Sequence, residues 1–269
     1  SRDSGVGIPD SDHSSPGSRL PNPGSRTSFA ASIVIVALAF AVWLALPGDY
    51  IRTRALPEPE PGERVLNLSE GVNEIITVTE TAGKGRRLMT NGHAMSATWP
   101  LSQRYMRALA HVPLLMIDDP RRALVIGFGV GNTTAAAALH ATVQRVEVAD
   151  LSRNVLNHAT FFSGASGNVL NDARVAVYVN DGRHHLQMQA PESYDLVALE
   201  PPPIGYAGVA ALYSEEFYAL ARTRLKPAGF ISQWLPSYQV PVATTFSMIR
   251  AFVDVFPQSV LLSGAKADL

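Results

Sequence analysis

The stretch ALVIGFGVGNTTAAAALH, residues 123–140, sets a short apolar run against a turn with glycines at 127, 129 and 131, then an alanine-rich segment of helical length. An uninterrupted apolar run of this size reads as a strand buried on both faces. Glycine lets the backbone turn sharply and lets a ligand approach closely at the carboxyl edge of a sheet. Asn132, Thr133 or Thr134 is a candidate cap for the helix that follows. The spacing is Gly-x-Gly-x-Gly, and Asn132 stands where a dinucleotide fingerprint places a further glycine, which argues against a pyrophosphate reader. A plain tight connection and a ligand turn both remain open at this point.

Outward from this turn the pattern repeats. ALVIG, RVEVA, VAVYV, LVAL and FISQWL are apolar runs separated by segments of helical length, which predicts a parallel sheet covered on both faces. Three acids fall at the ends of these runs. Asp150 closes RVEVAD, 19 residues beyond Gly131, where a nucleoside-binding sheet places a carboxylate for ribose hydroxyls; capping LSRNVLNHATFF is the other role open to it. Asp181 and Gly182 close VAVYVNDG above the same edge, as a simple turn or as part of a site. Glu200 ends LVALE and runs into Pro201, Pro202 and Pro203, which neither continue a helix nor donate to a sheet.

Upstream, EIITVTE and RRLMT read as strands, and the Asn-Gly pair in TNGH signals a hairpin. LSQRYMRALAHVPLLM, residues 101–116, has helical spacing that Pro113 interrupts. Residues 1–28 are rich in Ser, Pro, Gly and Asp and read as disordered. FAASIVIVALAFAVWLAL, Phe29 to Leu46, carries no charge and would span roughly 27 Å as a helix, close to a hydrocarbon thickness of about 30 Å. It predicts a transmembrane helix over 29–47, with the arginines around it leaning toward a cytoplasmic sheet domain at the inner or plasma membrane. The alternating prolines of ALPEPEPGE predict a stiff linker over 48–63. A small β/helix unit over 64–118 and a nucleoside-binding domain over 119–269 complete the expected organisation. Ser1 at one end and Ala267-Asp268-Leu269 at the other read as cut ends, so a fragment is expected.

Composition narrows the chemistry. A net charge of -1 and a pI near 6.6 give no footprint for nucleic acid. The chain has no cysteine, so its chemistry comes from oxygen and nitrogen groups. No Gly-x-Ser-x-Gly elbow is present, and His184 and His185, adjacent in sequence, lack metal-ligand spacing and read as the exposed start of a helix. No metal is expected.

Taken in succession, HVPLLMIDDPRRALVIGFGVG, ADLSRNVLNHATFF, NDARVAVYVNDGR, YDLVALEPPP and LYSEEFYALARTRLKPAGFISQW resemble the polyamine aminopropyltransferases, or spermidine synthases. The likeness runs from about Val65 to the end. It implies an α/β, Rossmann-like class I methyltransferase fold with a small N-terminal β unit, and the apolar run upstream resembles bacterial proteins in which a membrane unit is fused to such a domain. It further implies that Gly127, Gly129, Gly131, Asp150, Asp181 and Gly182 hold S-adenosylmethionine or its decarboxylated form as donor substrate. Asp150 would lie on the ribose and Asp181 near the adenine. Glu200 matches the first acid of the family's Asp-x-x-Asp-Pro loop, which deprotonates the attacking amine, and Tyr105 matches a substrate-side tyrosine; these two are the catalytic candidates. His111 matches a histidine before the first strand and reads as structural.

The chain departs from the family at three places. Pro203 replaces the second acid of the loop, Val130 replaces the acid that pairs the donor's ammonium, and Trp99 to Ser102 stand where acids collect the amine. The expectation is a transferase, moving an aminopropyl or methyl group, whose acceptor is unidentified and whose ordinary spermidine synthase activity is in question. A non-catalytic nucleoside sensor on a transporter-like membrane unit is the alternative. Expected partners are the nucleoside donor, an acceptor and the membrane through Phe29 to Leu46; a homodimer is among the assemblies allowed.

Overall fold

A computed structural model describes residues 26–48, 50, 54, 56–71 and 74–263. The chain divides into two compact units, residues 1–52 and 53–269.

In the first unit the apolar run forms helix α1, Arg26–Ala45, with its apolar side chains from Phe29 onward exposed. The helix stops before Pro47, whose ring disfavours helical geometry in the residue ahead of it. Among the described residues no helix is long and apolar enough to cross a membrane. That finding corrects the expectation of a membrane-spanning helix over 29–47, and the helix that forms there ends at Ala45. The expected disordered segment over 1–28 lies outside the described residues, except that Arg26 to Ser28 belong to α1.

The second unit begins with four antiparallel strands in sequential order: β1 (Glu63–Glu70), β2 (Ile75–Thr81), β3 (Gly85–Thr90) and β4 (His93–Ala97). Asn91 and Gly92 both adopt left-handed φ, 50° and 79°, so the Asn-Gly pair makes the β3–β4 turn expected of it. The proline-rich stretch before β1 is held to this sheet. Arg87 on β3 donates to Glu60 at 3.2 Å and to Glu63 at 2.6 Å, and Pro57 packs over Gly92. Helix α2, Pro100–Leu115, follows. Pro113 does not interrupt it: near the end of the helix it loses one hydrogen bond, is buried, and its carbonyl accepts from Met116 N at 3.0 Å.

The remainder is a five-stranded parallel sheet. It comprises β5 (Arg122–Ile126), β6 (Arg145–Asp150), β7 (Val175–Val179), β8 (Tyr194–Leu199) and β9 (Leu225–Gln233), in the order β7-β6-β5-β8-β9. The order reverses between β6 and β8 around β5, and such a switch point opens a crevice at the carboxyl edge. Helices α3 (Asn132–Ala138), α4 (Arg153–Asn157), α5 (Ser163–Ser166), α6 (Gly182–Gln187), α7 (Glu215–Arg224) and α8 (Val242–Val255) connect the strands or pack on them.

Strand alternation sorts the core into two layers. Ala123, Val125, Val146, Val148, Leu196 and Ala198 face one side with Met106, Ala110 and Leu114 of α2. Leu124, Ile126, Val197 and Leu199 face the other with Phe217, Tyr218 and Val255. At the amino ends of the strands Asp195 accepts from the backbone N–H of Arg121 and Arg122 at 2.9 and 2.8 Å and from Lys226 Nζ at 2.8 Å, tying β5, β8 and β9 together. Within the sheet Glu147 accepts from Arg122 at 2.7 Å and Tyr194 Oη at 2.6 Å, with His185 Nε2 at 3.2 Å. Burial pushes Glu147 up, but these bonds outweigh it and hold the carboxyl below its usual range. His185 is therefore buried in this cluster, which corrects the expectation that both histidines lie exposed; His184 does.

Candidate active site

At the carboxyl edge Gly127, Gly129 and Gly131 all take left-handed φ, 88°, 55° and 83°. The turn thus demands glycine at each expected position. Helix α3 opens on Gly131 with no side-chain cap, contrary to the reading of Asn132, Thr133 or Thr134 as the cap. Their side chains are buried instead: Asn132 donates to Ala97 O at 3.2 Å and Thr133 to Met106 O at 2.9 Å, locking the turn to β4 and α2.

Asp150 ends β6 beside this turn. Its Oδ2 accepts from Phe128 N at 2.7 Å and its Oδ1 from Ser152 N at 2.8 Å. It does not cap α4; Ser152 does, accepting from Val155 N at 3.0 Å. Burial pushes the Asp150 carboxyl up against these two bonds, and Glu74 close by pushes the same way. A carboxylate oxygen accepts more than one bond, so both oxygens keep capacity for hydroxyl donors.

Asp181 is the N-cap of α6, accepting from His184 N at 2.8 Å, and is itself exposed. Gly182 next to it is buried, and a Cβ there would come within 2.2 Å of Ile126 Cγ2. Glycine at 182 lets the helix start seat directly on β5, a packing role that the resemblance alone did not suggest.

Glu200 follows β8 directly. Tyr105 Oη, from α2, donates to Glu200 Oε1 at 2.5 Å. Burial drives the Glu200 carboxyl up to about 7, while the tyrosine bond pulls it down. The site is therefore a poised acid, partly ionised near neutral pH. Its backbone carbonyl lies 3.6 Å from where a Cβ of Gly127 would stand, so the acid and the glycine turn share one edge. The prolines hold the exit: Pro201 is buried, Pro203 O accepts from Tyr206 N at 3.0 Å, and Tyr206 Oη donates to Thr90 O at 3.2 Å.

One residue, Trp234, escaped the sequence reading. Leu199 and Gln233 are register partners, so Trp234 follows β9 at the level where Glu200 follows β8. The Trp234 ring stacks on Tyr105 with centroids 6.4 Å apart, and its carbonyl accepts from Tyr213 Oη at 3.3 Å. The signal was the matching position at the ends of adjacent parallel strands, legible once the strand order was known.

The departures noted in sequence also have places. Val130 is wholly buried with Phe128 and Ala136 in the apolar core. The Trp99 ring carries Lys84 Nζ at 5.6 Å and the Arg87 guanidinium at 5.5 Å. His111 Nδ1 lies 2.9 Å from His140 Nε2, remote in sequence from any acid of the site. Burial and the like charge of its neighbours hold His111 below the usual imidazole range, the state of a structural pair. Among the described residues no three His, Asp or Glu side chains group as a metal site.

The parallel sheet with its switch point, the glycine turn and the acids along one edge define a Rossmann-like fold of the class I methyltransferase type. Residues 102–259 match the spermine/spermidine synthase domain, and the chain belongs to that family. A polyamine aminopropyltransferase of Nitrosomonas europaea is 27% identical over 194 residues, covering 68% of this chain and 58% of its own length. Polyamine aminopropyltransferase 2 of Pseudomonas aeruginosa is 32% identical over 160 residues, covering 58% and 45%. The chain thus spans about half the length of these relatives. The crystal structure of spermidine synthase from Thermotoga maritima superposes with a TM-score of 0.64 at 22% identity, covering 72% of this chain and 65% of that one.

Proposed function

We propose that this chain carries the transferase chemistry of its family: an aminopropyl group passes from decarboxylated S-adenosylmethionine to an amine acceptor, with Glu200 as general base. The observation that carries the reading is a half-buried, tyrosine-bonded carboxyl at about 7, set at the strand end beside three left-handed glycines. The relatives' names support the reaction class.

In the reaction the acceptor nitrogen attacks the aminopropyl carbon bonded to sulfur. A C–N bond forms, the C–S bond breaks, and its electron pair remains on the sulfur as a neutral thioether. The proton leaving nitrogen passes to the Glu200 carboxylate. The sulfonium supplies the driving force, so the protein's part is alignment and proton acceptance. Asp150 holds the ribose hydroxyls, the glycine turn gives the nucleoside close access to backbone, and Asp181 borders the base. Tyr105 fixes the carboxylate's orientation, and Trp234 fixes Tyr105.

The acceptor is an amine less dependent on paired charges than a simple diamine. Pro203 offers no second carboxylate, and the Trp99 ring is covered by Lys84 and by an Arg87 guanidinium already paired with Glu60 and Glu63. Incubation with decarboxylated S-adenosylmethionine and a panel of amines, followed by detection of the nucleoside thioether and the alkylated amine, tests the assignment. Product formed by the wild type and lost in Glu200→Gln supports it; a panel without product, or equal turnover by the variant, refutes it.

A further inference from the structure

Trp234, directly after β9, is 8% exposed. Its backbone is fully engaged: the N–H donates to Leu199 O at 3.1 Å, and the carbonyl accepts from Tyr213 Oη at 3.3 Å. Its indole is not. Nε1 is sealed from solvent and has no hydrogen-bond partner among the described residues. An indole N–H can only donate, and a buried donor left unmatched is rare and costly. This one stands beside the reacting acid. The ring stacks on Tyr105, whose hydroxyl donates to Glu200, and the charge of Glu200 reaches Tyr213.

The segments that supply Tyr105, Glu200 and Trp234 are otherwise without carboxylates. Residues 93–117, 201–214 and 234–253 contain no Asp or Glu. An ammonium carries donors and no acceptor. A diamine with its near nitrogen at Glu200 would bring its far charge against an N–H of like polarity, with no acid from these segments to offset it. An uncharged oxygen is the opposite case. Its lone pairs satisfy the N–H, and it brings no charge that needs a partner.

We infer that Trp234 selects the acceptor: its indole N–H donates to an uncharged oxygen at the far end of the amine, so the acceptor is an amino alcohol or a similar amine bearing a hydroxyl or carbonyl oxygen. This rests on the transferase reading above and names the class of its second substrate. Access comes from Tyr238, which meets the Trp234 ring edge-on at 6.0 Å and is 61% exposed. Exposed side chains change rotamer within nanoseconds, so this ring turns aside to open the way to the indole edge.

The test compares putrescine with the amino alcohol of equal length, in which a hydroxyl replaces one amine. In calorimetry with the nucleoside thioether present, the wild type binds the amino alcohol about tenfold or more tightly than the diamine. Trp234→Phe keeps a stacking ring and loses the donor. It brings the two affinities within about threefold, with circular dichroism and thioether affinity unchanged. In proton–nitrogen correlation spectra the three tryptophans give three indole signals; the one missing from Trp234→Phe moves on saturation with the amino alcohol and holds still with putrescine. Putrescine binding as tightly as the amino alcohol, a preference that survives Trp234→Phe, a stationary indole signal, or no binding of either amine overturns the inference. The expected binding pattern without any transferred product upholds the role of Trp234 and refutes the transferase reading instead.

Discussion

Tyr105 on α2 and Glu200 at the end of β8 meet through one hydrogen bond of 2.5 Å, and that contact joins the helix preceding the nucleotide fold to the acid at its carboxyl edge. The bond opposes burial in setting the acid's affinity for its proton. Replacing Tyr105 by Phe removes the lowering influence, so Glu200 titrates above about 7. The pH–rate profile of Tyr105→Phe is expected to shift upward, with turnover at pH 7 reduced roughly ten- to hundredfold, the size of a hydrogen bond to a charged group. An unshifted profile would remove Tyr105 from the base.

Glu200 also couples stability to pH. Its folded value of about 7 lies above the ordinary 4.5, so the folded state retains a proton that the unfolded chain releases. This contribution is fully present below 4.5 and is lost as pH rises through about 7. Glu200→Gln does not titrate. Its stability relative to wild type is expected to improve between pH 4 and pH 8, by up to about 3 kcal/mol. Urea unfolding of both proteins at the two pH values measures it, and a constant difference would contradict the raised value.

Asp150 carries the ribose in the proposed complex while also holding Phe128 N and Ser152 N. Asp150→Ala is expected to weaken nucleoside binding by about 1 to 3 kcal/mol through lost charge-assisted bonds. Calorimetry with the nucleoside thioether product reads this directly, and equal affinities would take Asp150 out of the pocket.

In the proposed complex donor choice turns on Val130. A carboxylate at that position would repel a donor carboxylate and pair an ammonium, and valine does neither. S-adenosylmethionine and its decarboxylated form are expected to bind within about tenfold, or 1.4 kcal/mol, and putrescine to be a poor acceptor. Parallel titrations with a putrescine transfer assay decide it: strong preference for the decarboxylated donor with rapid spermidine formation refutes the expectation.

Gly182 gives a test of the scaffold alone. Gly182→Ala forces a methyl against Ile126 Cγ2 and is expected to cost about 1 to 3 kcal/mol. Ile126→Ala in the same chain should recover part of that loss, a favourable coupling in a double-mutant cycle.

The parallel sheet was legible because its strands are buried on both faces and carry few polar residues between their ends. The turn glycines and the acids at 150, 181 and 200 were legible for a related reason, since each stands where an apolar run stops. What stayed hidden depends on partners distant in sequence. Trp234 joins the site only because β9 lies beside β8, and His185 is buried only because Glu147 on β6 accepts it. Hydropathy marks the apolar residues of α1 but not where Pro47 halts the helix, which ends at Ala45 rather than 47.

Asp195 and Glu200 sit at opposite ends of β8, about 17 Å apart at some 3.3 Å per residue. The first binds strand starts and the second is poised for a proton. Because β8 is buried along its whole length, the anchoring end and the working end are separated by a rigid span. Changes to the proline exit or to the aromatic wall can therefore explore new acceptors while the anchored end goes on specifying the fold. Evolution gains room to alter what the proposed transferase acts upon without first finding compensating mutations for its architecture.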